Sequence, residues 1–363
     1  MGLPKLSICI ATLNRAAFIG ATLESIISQA TDEVEIVIVD GASTDNTEQV
    51  VRHYQQRFPR LRYVRLAARG GVDQDYSRAV ELAQGEYCWL MSDDDVLKPG
   101  AVQAVIEATR HPYSLIIVNT EMCNTDLSKQ LRDRQLSIHA NQVYTPADNM
   151  RLFVETSIHL SYIGSVVIRR QLWNMRDKER YFGTAFVHVG VIFQSPLPEN
   201  TLVIAEPLVS IRSANASWSA KYFEIWMFKW PSLVWSFPDY PETAKRQVFA
   251  KEPWRRPGAL LICRAKGAYS ISEYARWLEP RLESPVKRLV SKTIAQMPGC
   301  LVNFLAILYF SIFRPYARAD LLDFQTSPFY FLNCLHRASV NTFGENSSAK
   351  KLPTPHSHHK EDS

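Results

Sequence analysis

The amino-terminal third of the chain alternates short apolar runs with longer segments whose apolar residues recur at helical spacing. The apolar runs, which we predict to be strands, occupy residues 6–12, 35–40, 62–66, 87–92 and 114–119. The segments between them, which we predict to be helices, occupy residues 17–30, 45–58, 75–84 and 99–110. Strands that are apolar along their whole length are typical of parallel sheets buried on both faces. The alternation therefore predicts an α/β domain built from βαβ units around a mostly parallel sheet.

The regular alternation weakens after residue 119. A helix start is predicted at residues 145–148, and two further strands at 165–170 and 202–206. From residue 222 onward the sequence becomes aromatic and helical and then basic, and residues 344–363 are polar and rich in histidine. We therefore expect an α/β domain over residues 1–220, a helical region over 221–343 and a disordered tail over 344–363.

Composition and charge narrow the class of protein. The 363 residues are 46% hydrophobic, 21% charged and 11% aromatic, which fits a globular protein and excludes a collagenous, coiled-coil or disordered one. The net charge of +5 is too small to indicate a nucleic-acid partner by itself. The six cysteines are scattered without a CxxC pair, so we expect neither a disulfide framework nor a zinc site and favour a reducing compartment.

The sequence predicts neither an export signal nor a membrane-spanning helix. The apolar run near the N-terminus is short and turns polar at once. The nearest candidate for a span, residues 300–313, is shorter than the roughly 18 apolar residues that a spanning helix requires. We therefore expect a cytoplasmic chain.

Polar and acidic residues follow three of the predicted strands, at the point where each strand ends. These segments are TLNR at residues 12–15, DGASTD at 40–45 and SDDD at 92–95. In an open α/β sheet, ligands bind beyond the carboxyl ends of the strands. The three segments are therefore predicted to form one site.

Three consecutive carboxylates, Asp93, Asp94 and Asp95, are candidates for a metal site. In an extended segment residues i and i+2 point the same way, so Asp93 and Asp95 are expected to converge on one ligand. A divalent cation would neutralise their repulsion, and Mg²⁺ or Mn²⁺ suits carboxylates combined with phosphate oxygens. The alternative is a solvated acidic turn that caps the helix near Pro99.

The other two strand ends offer candidates for nucleotide contacts. Asp40 ends a predicted buried strand, where its carboxylate either accepts hydrogen bonds from a base or a ribose or shapes an Asx turn. Asp45 is interpreted chiefly as a helix cap. Thr12 and Asn14 either contact the nucleotide or shape the turn after the first strand.

Several common motifs are missing from the sequence. No GxGxxG follows the first strand, and the chain contains neither GxxxxGK[ST] nor GxSxG. This argues against a dinucleotide-dependent oxidoreductase, a P-loop phosphotransferase and a nucleophile elbow. A diphosphate held by a metal ion fits the residues better.

The ordered segments IATLNR, VDGASTDNT and GEYCWLMSDDD resemble the inverting family 2 glycosyltransferases of the GT-A fold. The intervening GGVDQDYSRAVELAQGEY is similar to the branch that includes bacterial abequosyltransferase-like O-antigen enzymes. The resemblance is good over residues 6–98, looser to residue 218, and hardly extends beyond.

This resemblance implies a nucleoside-diphosphate sugar as the donor and a divalent metal as the cofactor. By this resemblance Asp40 would contact the base, and Asp93 with Asp95 would form the DxD element for the ribose and the metal-bound diphosphate. Asp94, between them, and Asp73 and Asp75, in the segment that approaches the donor, would also bind the donor. The sequence departs from the family pattern at Met91, where many members carry an aspartate, so the acidic register is open to a shift by one residue.

A second departure concerns the catalytic base, because no Glu-Asp pair occurs in the later region where the family places it. The closest substitute is His188, which would accept the proton of the acceptor hydroxyl or else is satisfied within an apolar segment. Glu206 and Asp177 are weaker candidates. Further candidates follow the strand at 202–206: Arg212, Asn215 and Trp218 would close over the diphosphate or the acceptor, or form a plain surface loop.

The carboxyl-terminal region combines an apolar segment with flanking cations. Residues 301–313 are apolar, and the cations around them are Lys287, Arg288, Lys292, Arg314 and Arg318. This pattern suits attachment to an anionic inner leaflet, and the alternative is a helical bundle with a solvated cationic face.

Taken together, the residues and the resemblance predict a metal-dependent, inverting hexosyl- or deoxyhexosyltransferase. It would move a sugar from the donor to a hydroxyl of a lipid-linked saccharide in cell-surface polysaccharide synthesis, on the inner face of the cytoplasmic membrane and without a nucleic-acid partner. The alternatives are a catalytically inactive nucleotide-sugar-binding protein and a nucleotidyltransferase.

Overall fold

The computed structural model describes residues 2–213, 221–314 and 317–333, and the predicted tail lies outside these residues. The chain divides into two compact units, Met1–Ala259 and Leu260–Ser363. The strands of the described residues are β1 Leu6–Thr12, β2 Val34–Asp40, β3 Leu61–Arg65, β4 Tyr87–Met91, β5 Val96–Leu97, β6 Leu115–Cys123, β7 Gln130–Arg132, β8 Gln142–Tyr144, β9 Val166–Arg169 and β10 Thr201–Arg212. The helices of the first unit are α1 Ile19–Ile27, α2 Thr47–Arg57, α3 Val72–Leu82, α4 Ala101–Ala108, α5 Asn149–Leu160, α6 Arg170–Met175, α7 Val187–Phe193, α8 Tyr222–Glu224, α9 Trp230–Ser236 and α10 Glu242–Val248. The helices that follow are α11 Pro257–Ala265, α12 Ile271–Glu273, α13 Pro285–Gln296, α14 Gly299–Phe313 and α15 Arg318–Gln325.

One mixed sheet, with strand order β3-β2-β1-β4-β9-β6-β10-β5, forms the centre of the first unit. Strands β1 to β4 pair in parallel, and β9 runs antiparallel between β4 and β6. The predicted α/β class is confirmed. The short strands β5, β7 and β8, of two or three residues each, were not predicted because so few residues carry no readable periodicity.

Both faces of the sheet are buried, as the continuous apolar runs predicted. Successive residues of β1 alternate between the two sides: Cys9 packs in one core with α3, whereas Ile8 and Ile10 pack in the other with α1. The register pairs Thr12 with Asp40 and Ile10 with Met91, so the ends of β1, β2 and β4 lie at one edge of the sheet.

The first compact unit extends past residue 220, where the sequence suggested that the α/β domain ends. Trp230, Phe237 and Tyr240 are fully or almost fully buried in the same core as α3 and α7. The ring of Tyr240 stacks on Phe153 of α5 with 4.0 Å between centroids. Residues 222–248 therefore belong to the α/β core, because their aromatic side chains cover one face of the sheet.

The second unit contains an apolar helix whose two sides have different environments. Val302 and Phe310 of α14 pack against Phe324 of α15, whereas the other side of α14 is exposed. Among the described residues, no single helix is both long and apolar enough to cross a membrane. The pair α13 and α14, bent by 93°, meets that test of length and composition only when the two helices are taken together.

The cysteines of the described residues differ in their bonding state. Cys9, Cys88, Cys123 and Cys263 are buried free thiols. Cys300 is disulfide-bonded, which scattered spacing along the chain did not predict, because a bridge depends on proximity in space.

Candidate active site

Asn14 ties together the loops that follow β1 and β2. Its Oδ1 accepts a hydrogen bond from Thr44 N at 2.7 Å, and its backbone N donates to Ser43 Oγ at 2.9 Å. Asn14 has φ of 55°, in the left-handed region that asparagine tolerates better than most residues. Of the two roles considered for Asn14, the structure shows the one that shapes the turn.

The loop after β4 brings two carboxylates to one guanidinium. Arg15 Nε lies 3.4 Å from Asp93 Oδ1, and Arg15 Nη2 lies 3.4 Å from Asp94 Oδ2. All three side chains are 12% exposed, and Ser92 Oγ donates a hydrogen bond to Asp94 Oδ1. Burial, together with the negative charge of Asp94, raises the pKa of Asp93. Thr12, the last residue of β1, lies beside the Asp93 carboxylate.

Asp95 is positioned differently from its two neighbours. Its Oδ1 accepts a hydrogen bond from Arg212 N at 2.7 Å, and its Oδ2 accepts one from Tyr162 Oη at 2.8 Å. Burial, with Asp94 nearby, raises the pKa of Asp95. The chain bends at Asp93 and Asp94 instead of continuing extended, so the expected i, i+2 alternation does not apply. The structure therefore brings Asp93 and Asp94 together at Arg15, whereas Asp95 is bonded to Tyr162 and β10, and the metal pairing of Asp93 with Asp95 stays a prediction.

The residues at the end of β4 fit a divalent cation. Asp93 and Asp94 are buried carboxylates with Arg15 as the cation beside them, and the third carboxylate of the loop, Asp95, adds to the local negative charge. Mg²⁺ and Mn²⁺ bind through one or two carboxylates together with water and phosphate oxygens. Within the described residues, no group of three or more His, Cys, Asp or Glu side chains is arranged as a complete metal cage. The arrangement fits a cation that takes its remaining ligands from a phosphate.

Asp40 shapes the loop after β2. Its Oδ1 accepts a hydrogen bond from Ser43 N at 2.7 Å, and its Oδ2 accepts one from Tyr63 Oη at 2.6 Å. The residue is fully buried. Both oxygens of Asp40 therefore accept hydrogen bonds from the protein, and the contact between Asp40 and a nucleoside base stays a prediction. The Asx-turn alternative is the one found.

Asp73 and Asp75 lie in the first turn of α3 and have different surroundings. The two oxygens of Asp73 accept hydrogen bonds from Ala185 N at 2.9 Å and Val187 N at 3.0 Å. Asp73 therefore joins α3 to the start of α7, and its role at the sugar donor stays a prediction. Asp75 is 5% exposed, and within the described residues neither of its oxygens has a hydrogen-bond partner. Burial raises the pKa of Asp75 to about 6, while the positive charge of Arg69 lowers it and the negative charge of Asp40 adds a smaller increase.

His188 is enclosed in the core below α5. Its Nε2 donates to Leu160 O at 2.8 Å, and only 2% of the residue is exposed. Burial lowers the pKa of His188 to about 4. A general base must contact the proton that it removes, and the buried position of His188 does not support that role, which stays a prediction. Of the weaker candidates, Glu206 and Asp177 are both exposed.

Arg212 lies at the site, at the end of β10. Its Nε donates to Asp94 O at 2.6 Å and its Nη1 donates to Thr125 O at 2.8 Å. The guanidinium lies over the ring of Phe18, 5.7 Å from the centroid. Arg212 therefore lies beside the loop of Asp94, and its contact with a diphosphate stays a prediction. Asn215 and Trp218 lie outside the described residues.

Two functional side chains were missed by the sequence reasoning. Arg15 stands directly after Asn14 in a segment that the analysis singled out, so its position at a strand end was the available signal. Tyr162 gave no such signal, because it is 67 positions from Asp95 and reaches it only through the fold.

The chain is similar in sequence to proteins of a known family. Residues 7–173 match the family model described as glycosyl transferase family 2. The chain is similar to abequosyltransferase RfbV of Salmonella typhimurium, with 26% identity over 230 residues that cover 60% of this chain and 69% of the relative. It is also similar to the GalNAc(5)-diNAcBac-PP-undecaprenol beta-1,3-glucosyltransferase of Campylobacter jejuni, with 28% identity over 32% of this chain and 38% of the relative.

Solved structures resemble the whole fold at low sequence identity. TarS 1–349 of S. aureus, in complex with UDP-GlcNAc, has 17% identity and a TM-score of 0.52, with 89% of both chains covered. The complex of the same protein with UDP has a TM-score of 0.53. The predicted GT-A fold is confirmed.

Proposed function

From the premise that residues 7–173 are a domain of glycosyltransferase family 2, we propose that the protein moves a sugar from a nucleoside diphosphate to a hydroxyl of a saccharide acceptor. The observation that carries the proposal is the meeting of Asp93, Asp94 and Arg15 at the carboxyl edge of the sheet, next to Arg212. Carboxylates beside arginines match a diphosphate that is bound through a cation. The UDP-GlcNAc and UDP complexes of TarS, which has the same fold, agree with this class of donor.

In this proposal Asp93 and Asp94 would hold Mg²⁺ or Mn²⁺. When bound, the cation would offset the negative charge that develops on the departing diphosphate. Asp95 keeps the loop in place through Tyr162 and β10, so that the two preceding carboxylates face the donor. Arg15 and Arg212 add positive charge at the same edge. The transfer inverts the anomeric carbon in a single displacement.

The acceptor is a lipid-linked saccharide of a cell-surface polysaccharide, reached from the inner face of the cytoplasmic membrane. The Campylobacter relative is a transferase whose name specifies an undecaprenol-linked saccharide. On α14, large apolar residues are between 41% and 69% exposed: Leu301, Phe304, Leu305, Leu308, Tyr309, Ile312 and Phe313. A helix of 15 residues is about 22 Å long, less than the roughly 30 Å of a bilayer's hydrocarbon core, so α14 lies in the membrane surface. Lys287 and Arg288 of α13 supply charge for anionic headgroups.

A donor-binding and turnover experiment tests the proposal. The purified chain is titrated with UDP, CDP, GDP and dTDP, with and without Mn²⁺, and the matching nucleotide sugars are then supplied with lipid-linked acceptors. We expect one nucleotide to bind in a metal-dependent way and its sugar to be transferred with inversion, which NMR of the product anomer reports. Asp93→Asn should abolish the metal dependence, whereas Asp126→Asn, an exposed control outside the site, should not. Nucleotide binding without transfer to any acceptor would contradict the proposal.

A further inference from the structure

A basic cavity lies near the carboxyl end of the first unit, outside the candidate active site. Its volume is about 340 Å³, and its lining includes four cations and one carboxylate: Arg246, Lys251, Arg255, Arg256 and Glu252. All five residues are exposed, so a ligand can reach them from solvent. The cavity therefore concentrates positive charge that the proposed donor site does not use.

Two tryptophan rings hold three of these cations in place. Arg246 Cζ and Lys251 Nζ lie 5.6 and 5.1 Å from the ring centroid of Trp235. Arg255 Cζ lies 4.4 Å from the ring centroid of Trp254, which is buried. A cation–π contact stabilises a cation without neutralising it. The cations are therefore positioned before a ligand arrives, which lowers the entropic cost of binding.

The protein balances only part of the charge in the cavity. Two of the four cations form ion pairs with carboxylates: Arg246 Nη2 with Glu242 Oε2 at 2.9 Å, and Arg255 Nε with Glu252 Oε2 at 2.7 Å. Within residues 2–213, 221–314 and 317–333, no carboxylate lies within salt-bridge distance of Lys251 or Arg256. The cavity therefore has two positive charges in excess.

This excess charge favours a diphosphate over other anions. Arginine and lysine together can donate to several phosphate oxygens at once. A diphosphate esterified at both ends carries two negative charges at neutral pH, which match the two cations without ion pairs. The phosphodiester of a phospholipid headgroup carries only one. The single carboxylate of the lining, Glu252, is already paired with Arg255, so we expect binding here to need no divalent cation.

Aromatic contacts connect the cavity with the candidate active site. Phe249 directly precedes Ala250 of the cavity lining, and its ring centroid lies 6.2 Å from that of Trp226. The centroid of Trp226 in turn lies 6.2 Å from that of Phe186. Phe186 stands between the two residues whose backbone N–H groups bond to Asp73 of α3. The cavity therefore lies next to the aromatic layer that covers the α3 side of the sheet.

We infer that this basic cavity binds the diphosphate of the lipid-linked acceptor. The inference rests on the proposed function, and it gives the acceptor a diphosphate site separate from that of the donor at Asp93 and Asp94. Lys251 and Arg256 supply the two charges without ion pairs, and Arg255 supplies further N–H donors. With its diphosphate held here, the acceptor saccharide extends along the aromatic layer toward the donor.

Vesicle binding without metal tests the diphosphate site directly. Phosphatidylcholine vesicles carry either a polyprenyl diphosphate or phosphatidylglycerol at the same total charge, and co-sedimentation is measured with EDTA present. We expect the unaltered chain to bind the diphosphate vesicles at least about tenfold more tightly, and Lys251→Gln/Arg256→Gln to lose this preference. The matched control, Arg110→Gln/Lys129→Gln, removes an exposed arginine and an exposed lysine elsewhere in the first unit and should keep it.

Turnover links the cavity to the acceptor. The same saccharide is supplied either on a polyprenyl diphosphate or on an uncharged alkyl chain. We expect the preference in kcat/KM for the diphosphate-linked form to fall about tenfold in Lys251→Gln/Arg256→Gln and to persist in the control, because only one of the two acceptors contacts the cavity. Thermal unfolding verifies that both variants are folded.

The other outcomes separate the inference from the proposed function. Equal binding of both kinds of vesicle by the unaltered chain would reveal a general contact with anionic headgroups and would overturn the inference. An unchanged preference in folded Lys251→Gln/Arg256→Gln would overturn it as well, and it would leave the proposed function intact. A diphosphate preference that this variant loses, without sugar transfer to any acceptor by the unaltered chain, would support the diphosphate site and overturn the proposed function.

Discussion

At the scale of single residues, the hydrogen bonds made by each carboxylate distinguish structural from ligand-binding aspartates. Aspartates with both oxygens engaged by protein donors include Asp40, Asp73 and Asp95. Asp93 and Asp94 share Arg15, and Asp75 has no hydrogen-bond partner within the described residues. A carboxylate oxygen that already accepts a hydrogen bond from the protein is less available to a ligand. We therefore propose that Asp93, Asp94 and Asp75 are the aspartates that bind the sugar nucleotide.

His188 should affect the pH dependence of stability but not act as a base. Its pKa is about 4 in the folded chain and about 6.5 when unfolded. Because the folded value is the lower one, its contribution is fully present above pH 6.5 and is lost as the pH falls toward 4. In the unaltered chain we expect His188 to lower the free energy of unfolding by roughly 2–3 kcal/mol between pH 7 and 4.5. His188→Gln keeps an N–H for Leu160 O, and in this variant that part of the decrease should be absent.

Denaturant unfolding at the two pH values measures this effect, with the exposed His53→Asn as the control. Turnover of a folded His188→Gln should stay within a few fold of the unaltered chain at neutral pH. A loss of turnover by several orders of magnitude, with donor affinity kept, would restore His188 as the base.

The fold was more predictable from sequence than the individual roles of the site residues. The strand predicted at residues 6–12 is present with those bounds, because its apolar run is uninterrupted and ends at polar residues. That the three polar strand ends meet also followed from the parallel pairing. The sequence did not show which aspartates accept hydrogen bonds from the protein, because the donors Tyr63, Tyr162 and Ala185 come from distant parts of the chain.

At the scale of elements, the start of α7 depends on α3. The first backbone N–H groups of a helix have no partner within the helix, and here Asp73 of α3 accepts from Ala185 N and Val187 N. The contact joins segments that are 112 and 114 positions apart. It holds α3, and therefore Asp75, against the core.

Asp73→Asn should weaken this junction. The amide retains one acceptor oxygen in place of two and presents an NH₂ to a backbone N–H, so we expect a loss of about 1–3 kcal/mol in unfolding free energy. The nucleotide preference should not change. Denaturant unfolding and the nucleotide panel measure the two properties separately, and a variant with full stability but altered preference would contradict the assignment.

α14 is apolar on both of its sides, which is unusual for a surface helix. If the exposed side lies in a membrane surface, Leu305→Glu should reduce binding to vesicles that contain anionic lipid by about tenfold or more. The change removes a leucine that would insert among the lipids and adds a negative charge that anionic headgroups repel. Val143→Glu, at an exposed apolar position of β8, serves as the matched control. Co-sedimentation with anionic and with zwitterionic vesicles measures the effect, and equal binding of the two variants would exclude this role for α14.

At the scale of the whole molecule, the site lies in one unit and the exposed apolar helix in the other. A ligand stabilises the folded state to which it binds by mass action. We therefore expect two calorimetric unfolding transitions. Nucleotide with Mn²⁺ should raise the midpoint temperature of only the transition that belongs to residues 1–259. A single transition that shifts as a whole would show that the two units unfold together.

The guanidinium of Arg15 has a consequence for the order in which ligands arrive. It already offsets part of the negative charge of Asp93 and Asp94, so a bare divalent ion gains less from entering than it would at an unopposed pair of carboxylates. A diphosphate brings new negative charge that both the ion and the guanidinium can share. Metal and nucleotide are therefore expected to bind as a couple, each raising the affinity for the other, so that the protein retains little metal between turnovers.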